Sequence, residues 1–220
     1  MKTKLLSLFV AIIASSLVLT AQTTVFSESF ETDGEVSRYN SNRGGACNDF
    51  FDRVSSTPSC FAGSITGVDG TWYFAGEDVD DGTNGGGPGS VTFVSHSISG
   101  LSNLQLSFKF GTPRDGYEID DVILVQYSID GGSFTNAIVL QGNPINGTNS
   151  GPLKVDTDRN PTAAPPTGTD VPSSGVMNLY SYSIPGTGSN IVVKVIVDVD
   201  GGTEEIAFDL VKLEGTLAVN

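Results

Sequence analysis

The chain consists of short runs of β-branched and aromatic residues, separated by clusters of Gly, Asn, Asp and Pro. Helical periodicity is almost absent after the first segment, so these runs are typical of strands. Nine runs at this spacing predict a sandwich or barrel rather than βαβ units. The predicted strands are Thr24–Glu31, Thr71–Gly76, Ser90–Ile98, Asn103–Phe110, Asp121–Ile129, Phe134–Leu140, Met177–Ile184, Ile191–Val199 and Glu205–Leu213.

Two of these runs predict different environments. Apolar and polar residues alternate from Leu104 to Phe110, which is the pattern of a strand with one face in water. The run from Ile191 to Val197 is almost continuously apolar. A central strand covered on both faces, or nearly so, has this composition, and we predict that position for it.

The first segment has the composition of a secretory signal. Two lysines precede an apolar stretch from Leu5 to Leu19, and Ala21 offers a small residue at a cleavage point. We therefore predict a signal peptide over residues 1–21 and one domain over residues 22–220, secreted or held at the cell surface. No later run is long and apolar enough for membrane insertion.

The chain is strongly acidic. Its 25 Asp and Glu residues outnumber 11 Lys and Arg residues, which gives a formal net charge of −14. Such a charge repels nucleic acid and anionic lipid, so we expect neither as a partner. It favours solubility in salt or the binding of divalent cations.

The two cysteines, Cys47 and Cys60, lie in a stretch rich in Gly, Ser, Asn and Pro. An isolated pair of cysteines in an exported protein is typical of one disulfide. A metal or redox site is the alternative, but it lacks a CxxC spacing and a nearby histidine. Farther along, residues 141–175 have little strand signal and predict a long loop, which is functional or disordered in most domains.

Catalytic machinery is absent from the sequence pattern. His96 is the one histidine, and no Gly-x-Ser-x-Gly elbow accompanies it. The segment Tyr117 to Ile123 has the acidic spacing of a glycosidase strand, but Ile123 occupies the position of the second glutamate. A retaining glycosidase needs two carboxyl groups on one face. We therefore expect no catalytic residues and no enzyme activity.

Acidic loops punctuated by glycine predict a cation site. Four carboxylates lie between Glu77 and Gly82. Calcium takes six to eight oxygen ligands, which usually come from several loops. Turns that are simply solvated, with no metal, are the alternative interpretation.

Aromatic residues raise the question of carbohydrate binding, because sugar faces stack on exposed rings. Either Tyr73 or the pair Trp72 and Phe74 faces outward from its strand. Tyr180 and Tyr182 fall on one face of another strand, where they form a small platform or cover the edge of the core. We take Tyr73, Tyr180 and Tyr182 as the candidate ligand contacts.

The two ends of the mature chain have a similar pattern, an acidic residue among apolar ones. An acid follows the first strand, and another lies inside the last, which predicts a sheet closed by its own termini. With Trp72 to Asp78, Leu101 to Phe110 and Tyr127 to Gly132, these ends resemble the calcium-binding jelly-roll modules. That group includes carbohydrate-binding modules and MAM-type adhesion domains, and the resemblance is closest to the version found in secreted proteins of Bacteroidetes.

The resemblance implies an all-β fold, a jelly-roll β-sandwich of two antiparallel sheets. In such modules a glutamate after the first strand and an aspartate in the last share a structural calcium. Carried over, these are Glu31 and Asp209, with Glu77 or Asp78 as a third ligand. Many relatives have a second acid after the aspartate, whereas this chain has Leu210.

The function implied is that of an exported, non-catalytic binding module for a glycan or another surface polymer. The partner expected is a polysaccharide or a cell-surface glycan. The alternative is a structural or adhesive extracellular protein that acts through protein–protein contacts.

Overall fold

The fold consists of two antiparallel sheets packed face to face. The computed structural model describes residues 22–83, 85–145, 149–161 and 164–217, so the predicted signal segment lies outside the described residues. Each sheet contains seven strands. The predicted all-β fold, a jelly-roll β-sandwich, is confirmed.

We name the sheets A and B. Sheet A contains β1 (Gln22–Glu28), β3 (Gly44–Ala46), β4 (Asp49–Val54), β5 (Tyr73–Glu77), β8 (Leu101–Gly111), β12 (Asn178–Ile184) and β14 (Ile206–Leu217). Sheet B contains β2 (Tyr39–Ser41), β6 (Gly89–Phe93), β7 (His96–Ser97), β9 (Val122–Ile129), β10 (Thr135–Gly142), β11 (Leu153–Val155) and β13 (Asn190–Asp198). One short helix, α1 (Val79–Gly82), follows β5.

The last strand, β14, organises sheet A. It pairs with β8 along one side, and with β5 and β1 along the other. The order across the sheet is β12, β8, β14, β5, β4, β3. The first and last strands, β1 and β14, pair as the sequence predicts, but they lie inside the sheet, which stays open with β12 and β3 at its edges.

The core lies between the two sheets and is rich in aromatic rings. Phe74 stacks on Phe208 at 5.4 Å between ring centroids, and Phe30 meets Phe74 edge-on at 4.9 Å. In β13 the buried residues alternate with half-buried ones, although the strand is central in its sheet. The apolar residues on its outer face are therefore half-buried, so the strand is central, as predicted, and its second face is only partly covered.

All nine predicted strands are present, with shifted ends, and the run Ser90–Ile98 divides into β6 and β7. Four strands were not predicted: β2, β3, β4 and β11. Three of them, β2, β3 and β11, have three residues each, and β11 pairs with β10 inside the predicted loop 141–175, whereas β4 has six residues. Backbone pairing with neighbours stabilises such segments, so their own sequences carry little signal.

A second, smaller apolar cluster covers the outer face of sheet A. Its members are Phe50, Phe61, Ile65, Tyr73, Ala75, Met177 and Ala207. The disulfide between Cys47 and Cys60 is confirmed, and it ties the covering segment to the sheet. A disulfide of this kind is typical of proteins from oxidising compartments. Within the described ranges, no helix combines the length and apolarity needed to span a bilayer.

Candidate metal centre

Four acidic side chains converge at one end of the sandwich. One carboxylate oxygen from each of Glu118, Asp121, Asp200 and Glu204 lies within 4.8 Å of the others. We call these four residues the acidic centre. Asp121 and Glu204 are buried, with 3% and 1% of their surfaces exposed, whereas Asp200 is exposed.

Strand order explains why residues so far apart in sequence meet here. β9 and β13 are antiparallel neighbours, and Val122 pairs with Asp198 at the end of their ladder. The segment that enters β9 therefore lies beside the segment that leaves β13. The first segment carries Glu118 and Asp121, and the second carries Asp200 and Glu204.

Local hydrogen bonds fix both segments. The Glu118 backbone N–H donates to Asp121 Oδ2 at 2.5 Å, and the Gly142 N–H donates to the Asp121 carbonyl at 3.0 Å. A Cβ atom at Gly142 would overlap the Glu118 carbonyl oxygen, so this approach requires glycine. On the other segment, the Gly201 N–H donates to Glu204 Oε2 at 2.7 Å.

Burial and acidic neighbours raise the pKa of three carboxylates of the acidic centre, those of Asp121, Asp200 and Glu204. Burial raises the pKa of Glu204 to about 9, with further contributions from Glu118 and Asp121. Burial likewise raises the pKa of Asp121 to about 7, and the nearby charges of Glu118 and Asp200 add to the effect. Among the described residues, no Lys or Arg forms an ion pair with any of the four.

An acidic cleft opens beside the centre. It has a volume of about 210 Å³, and its lining residues are Asp80, Asp120, Asp121, Asp198 and Asp200. Burial, together with the charges of Asp80 and Asp200, raises the pKa of Asp198. Helix α1 brings Asp80 here, because the Val79 N–H donates to the Val199 carbonyl at 2.8 Å. Oxygen ligands alone, at this density, are the chemistry that a hard cation requires.

Glu31 and Asp209, the predicted metal pair, both accept hydrogen bonds from one segment of backbone. Glu31 Oε1 accepts the N–H groups of Thr71 and Trp72, both at 2.7 Å. Asp209 Oδ2 accepts the Asp69 N–H at 2.5 Å, and its Oδ1 accepts the Leu210 N–H at 2.7 Å. We call Glu31 and Asp209 the end clasp, since both hold residues 69–72.

The two members of the clasp differ in environment. Glu31 is exposed, and its two backbone hydrogen bonds lower its pKa. Asp209 is fully buried, and burial raises its pKa to about 7 in spite of the backbone donors. In the described part of the chain, neither belongs to a group of three or more acids whose ligand atoms converge.

Glu77 and Asp78, the other predicted ligands, lie apart from the clasp. Glu77 is buried at the end of β5, its Oε2 has no hydrogen-bond partner, and burial and the charge of Glu205 raise its pKa. Asp78 has a left-handed backbone with φ of 48°, and burial raises its pKa to about 6. Its Oδ2 lies 4.0 Å from the position of a Cβ at Gly202, next to the turn that carries Glu204.

The three predicted ligand-binding tyrosines divide into two groups. Tyr73 is 2% exposed and packs in the second apolar cluster, so its ring presents no open face. Tyr180 and Tyr182 share one cleft of about 210 Å³ with Arg159, whose guanidinium lies 4.8 Å over the Tyr182 ring. Burial raises the pKa of Tyr180 to about 12, and its ring packs on Phe108. We call this the tyrosine cleft.

Comparison with known proteins assigns the chain to no family. No family model and no curated protein matches the chain. Among solved structures, it is similar to a Stig cyclase from Fischerella sp. TAU in complex with (3Z)-3-(1-methyl-2-pyrrolidinylidene)-3H-indole. The identity is 12%, the TM-score is 0.40, and the match covers 88% of this chain and 85% of that one. Similarity at this level carries no argument about activity.

Sequence reasoning did not predict the acidic centre, although both halves carry a visible signal. Acids precede the strand at Asp121, and Asp200 opens a glycine turn just before Glu204. What the sequence does not state is that β9 and β13 are neighbours. Strand adjacency is a property of the whole sheet, so the convergence becomes visible only in the fold.

Proposed function

We propose that this protein is an exported, non-catalytic binding module that holds one calcium ion in the acidic centre. The observation that supports this proposal is the convergence of four carboxylate oxygens within 4.8 Å. Two of the four side chains are almost fully buried. Burying such a group of charges without a cation is costly, since each carboxylate loses its water and gains a like-charged neighbour.

The donor set favours calcium over other metals. All four ligands are carboxylates, whereas zinc prefers nitrogen and sulfur ligands. Magnesium requires near-ideal octahedral geometry and keeps much of its water, while calcium accepts irregular oxygen cages. The ligands come from two separate segments, and an adaptable cation suits such a site.

The ion would have a structural role. Glu118 and Asp121 precede β9, whereas Asp200 and Glu204 follow β13. A cation bound by all four would connect the two loops at this end of sheet B. It would also reduce the negative charge of the cleft that receives helix α1.

Calorimetric titration of the EDTA-treated protein with Ca²⁺ tests the proposal. We expect one equivalent to bind, and Glu204→Gln to bind at least tenfold more weakly because it removes one charged ligand. Since Glu204 ionises only with difficulty, the neutral variant should fold. Asp170→Asn is the matched control, because Asp170 has 68% of its side chain exposed and lies outside the centre. Absence of binding, or equal weakening by both variants, contradicts the proposal.

For the ligand of the module, a glycan or another surface polymer is our second proposal, and the tyrosine cleft supports it. Tyr180 and Tyr182 both border this cleft, and Arg159 adds a hydrogen-bond donor. Aromatic rings and a few polar groups are typical of small-ligand sites. Retention of the protein in gels that contain polysaccharide should decrease in Tyr182→Ala. Self-association by light scattering, without any retention, would instead favour an adhesive protein.

A further inference from the structure

A second cleft lies at the opposite edge of sheet A from the tyrosine cleft. Strand β12 carries the tyrosines at one edge, and β3 and β4 form the other. The second cleft has a volume of about 370 Å³ and contains Trp72, the one tryptophan of the chain. Phe50, Asp52, Ser55 and Ser56 are among its other lining residues. We call it the tryptophan cleft.

The Trp72 ring is held in place before any ligand arrives. The Arg53 guanidinium lies 3.8 Å from the ring centroid and covers one face. Arg53 is itself fixed, because its Nε donates to the Phe30 carbonyl at 2.6 Å and its Nη2 to the Glu31 carbonyl at 3.0 Å. The Trp72 backbone N–H is bound by Glu31. A rigid aromatic ring lowers the entropic cost of binding.

The walls of the cleft are also stable. Phe50 packs against Phe61 at 6.0 Å between centroids, and the disulfide of Cys47 closes the neighbouring loop. Polar groups are confined to Asp52 and two serine hydroxyls, together with backbone. The cleft therefore combines a fixed aromatic ring with one carboxylate and several hydroxyl groups.

The charges around the cleft restrict the class of ligand. Among the described residues no lining side chain is basic, and the nearby guanidiniums already have acceptors: Arg53 binds the Phe30 and Glu31 carbonyls, and Arg43 binds Asp33. An anion would therefore compete with these hydrogen bonds and meet the Asp52 carboxylate. A cation on Trp72 would meet the repulsion of Arg53, which already uses the ring electrons. Asp52 also has Arg43 at 3.9 Å, which offsets part of its charge. A neutral ligand with an apolar face and several hydroxyls fits these conditions best.

We propose that the tryptophan cleft binds a neutral saccharide. One pyranose ring would place its C–H face on Trp72 and donate hydroxyl hydrogens to Asp52. The hydroxyl groups of Ser55 and Ser56 would form hydrogen bonds with the remaining hydroxyls of the sugar. The inference rests on the proposed binding function for its ligand class, but it is independent of calcium in the acidic centre and of the tyrosine cleft.

Intrinsic fluorescence is a direct test, since Trp72 is the sole tryptophan. The full chain is titrated with the neutral polysaccharides laminarin, mannan and xyloglucan. We expect a saturable blue shift of emission with at least one of them, because a stacked sugar removes water from the ring. Asp52→Asn should raise the half-saturation concentration at least fivefold. Asp170→Asn, whose side chain is 68% exposed and lies outside the cleft, should leave the titration unchanged.

Retention in polysaccharide gels provides the second measurement, with Trp72→Ala checked for folding by circular dichroism. Asp52 has 49% of its side chain exposed, so Asp52→Asn keeps the test decisive even when Trp72→Ala fails to fold. No emission shift with any polysaccharide overturns the proposal. So does retention that Asp52→Asn leaves unchanged, and so does a larger shift with choline or chondroitin sulfate. Weak calcium binding with an intact emission shift would contradict only the proposed metal centre.

Discussion

The acidic centre and the end clasp bring carboxylates from distant segments together, but they satisfy them in opposite ways. In the clasp, Glu31 and Asp209 accept backbone N–H groups from residues 69–72 and from Leu210. In the acidic centre, carboxylates face carboxylates, and only a few backbone donors reach them. The backbone donors, rather than burial alone, therefore distinguish the clasp from the proposed metal centre.

This difference changes the interpretation of Asp209. Burial of an ionised aspartate is unfavourable unless a cation or hydrogen-bond donors surround it. From the sequence alone, in which no donors are visible, this favours a metal at Asp209. The fold supplies two backbone donors, and Lys109 Nζ lies 4.0 Å from Asp69 close by. Glu204 has one backbone donor and acidic neighbours, so a bound cation would stabilise its ionised form more than that of Asp209.

The largest expected effect is the loss of calcium stabilisation at the acidic centre. Calcium at 100 times its Kd should stabilise the fold by about 2.7 kcal/mol. For a domain of this size, that raises Tm by about 5–10 °C. Glu204→Gln should abolish most of this shift, whereas Asp209→Asn should keep it. Differential scanning fluorimetry in EDTA and in Ca²⁺ measures both variants.

The reverse result, a calcium shift lost in Asp209→Asn and kept in Glu204→Gln, would return the metal to the end clasp. That outcome would confirm the sequence-based prediction of Glu31 and Asp209 as ligands. The two variants thus decide between the two regions in one experiment.

Next in size is the structural cost of removing Asp209. In Asp209→Ala the N–H groups of Asp69 and Leu210 lose their acceptor, which costs about 1–3 kcal/mol for a buried group. The calcium response should remain. Urea denaturation in EDTA measures the free energy of unfolding. A change below about 0.5 kcal/mol would show that the clasp does not stabilise the fold.

The pH dependence of the metal-free protein should be opposite to that of most acidic proteins. The pKa values of Glu204 and Asp121 are raised to about 9 and about 7, so the folded state binds more protons than the unfolded state. Their stabilising effect is complete below pH 4 and is lost as the pH rises through 7 to 9. The slope is limited to about 1.4 kcal/mol per pH unit for each proton.

Calcium supplies the control for this slope. Bound metal keeps the carboxylates ionised, so their contribution should disappear in saturating Ca²⁺. The pKa of Asp209 is also raised to about 7, so its contribution to stability should fall with rising pH both with and without calcium. Urea denaturation at pH 5, 7 and 9 therefore separates the two regions. An unchanged slope on adding calcium would contradict a metal at the acidic centre.

The sequence predicts the strands and the end pairing well, because alternation and β-branched composition are local signals. It also predicts the disulfide of Cys47, since the chain has one pair of cysteines. It does not predict the acidic centre, which depends on β9 lying beside β13. The sequence likewise does not predict the position of Trp72, because its exposure depends on β4 and the disulfide loop.

The smallest expected effect is that of Glu31→Gln, and it is informative because Glu31 is exposed. An amide oxygen still accepts the Thr71 and Trp72 N–H groups, so stability should fall less than in Asp209→Ala. The pKa of Glu31 is lowered, so its contribution is present above the unfolded pKa and is lost as the pH falls through the folded one. The variant should therefore differ from wild type at neutral pH and converge with it in acid.

Because Glu31 positions Trp72, the steady-state anisotropy of the single tryptophan should decrease as well. Lower anisotropy with an unchanged calcium response would show that the end clasp positions the tryptophan cleft, whereas unchanged anisotropy would separate Glu31 from that cleft.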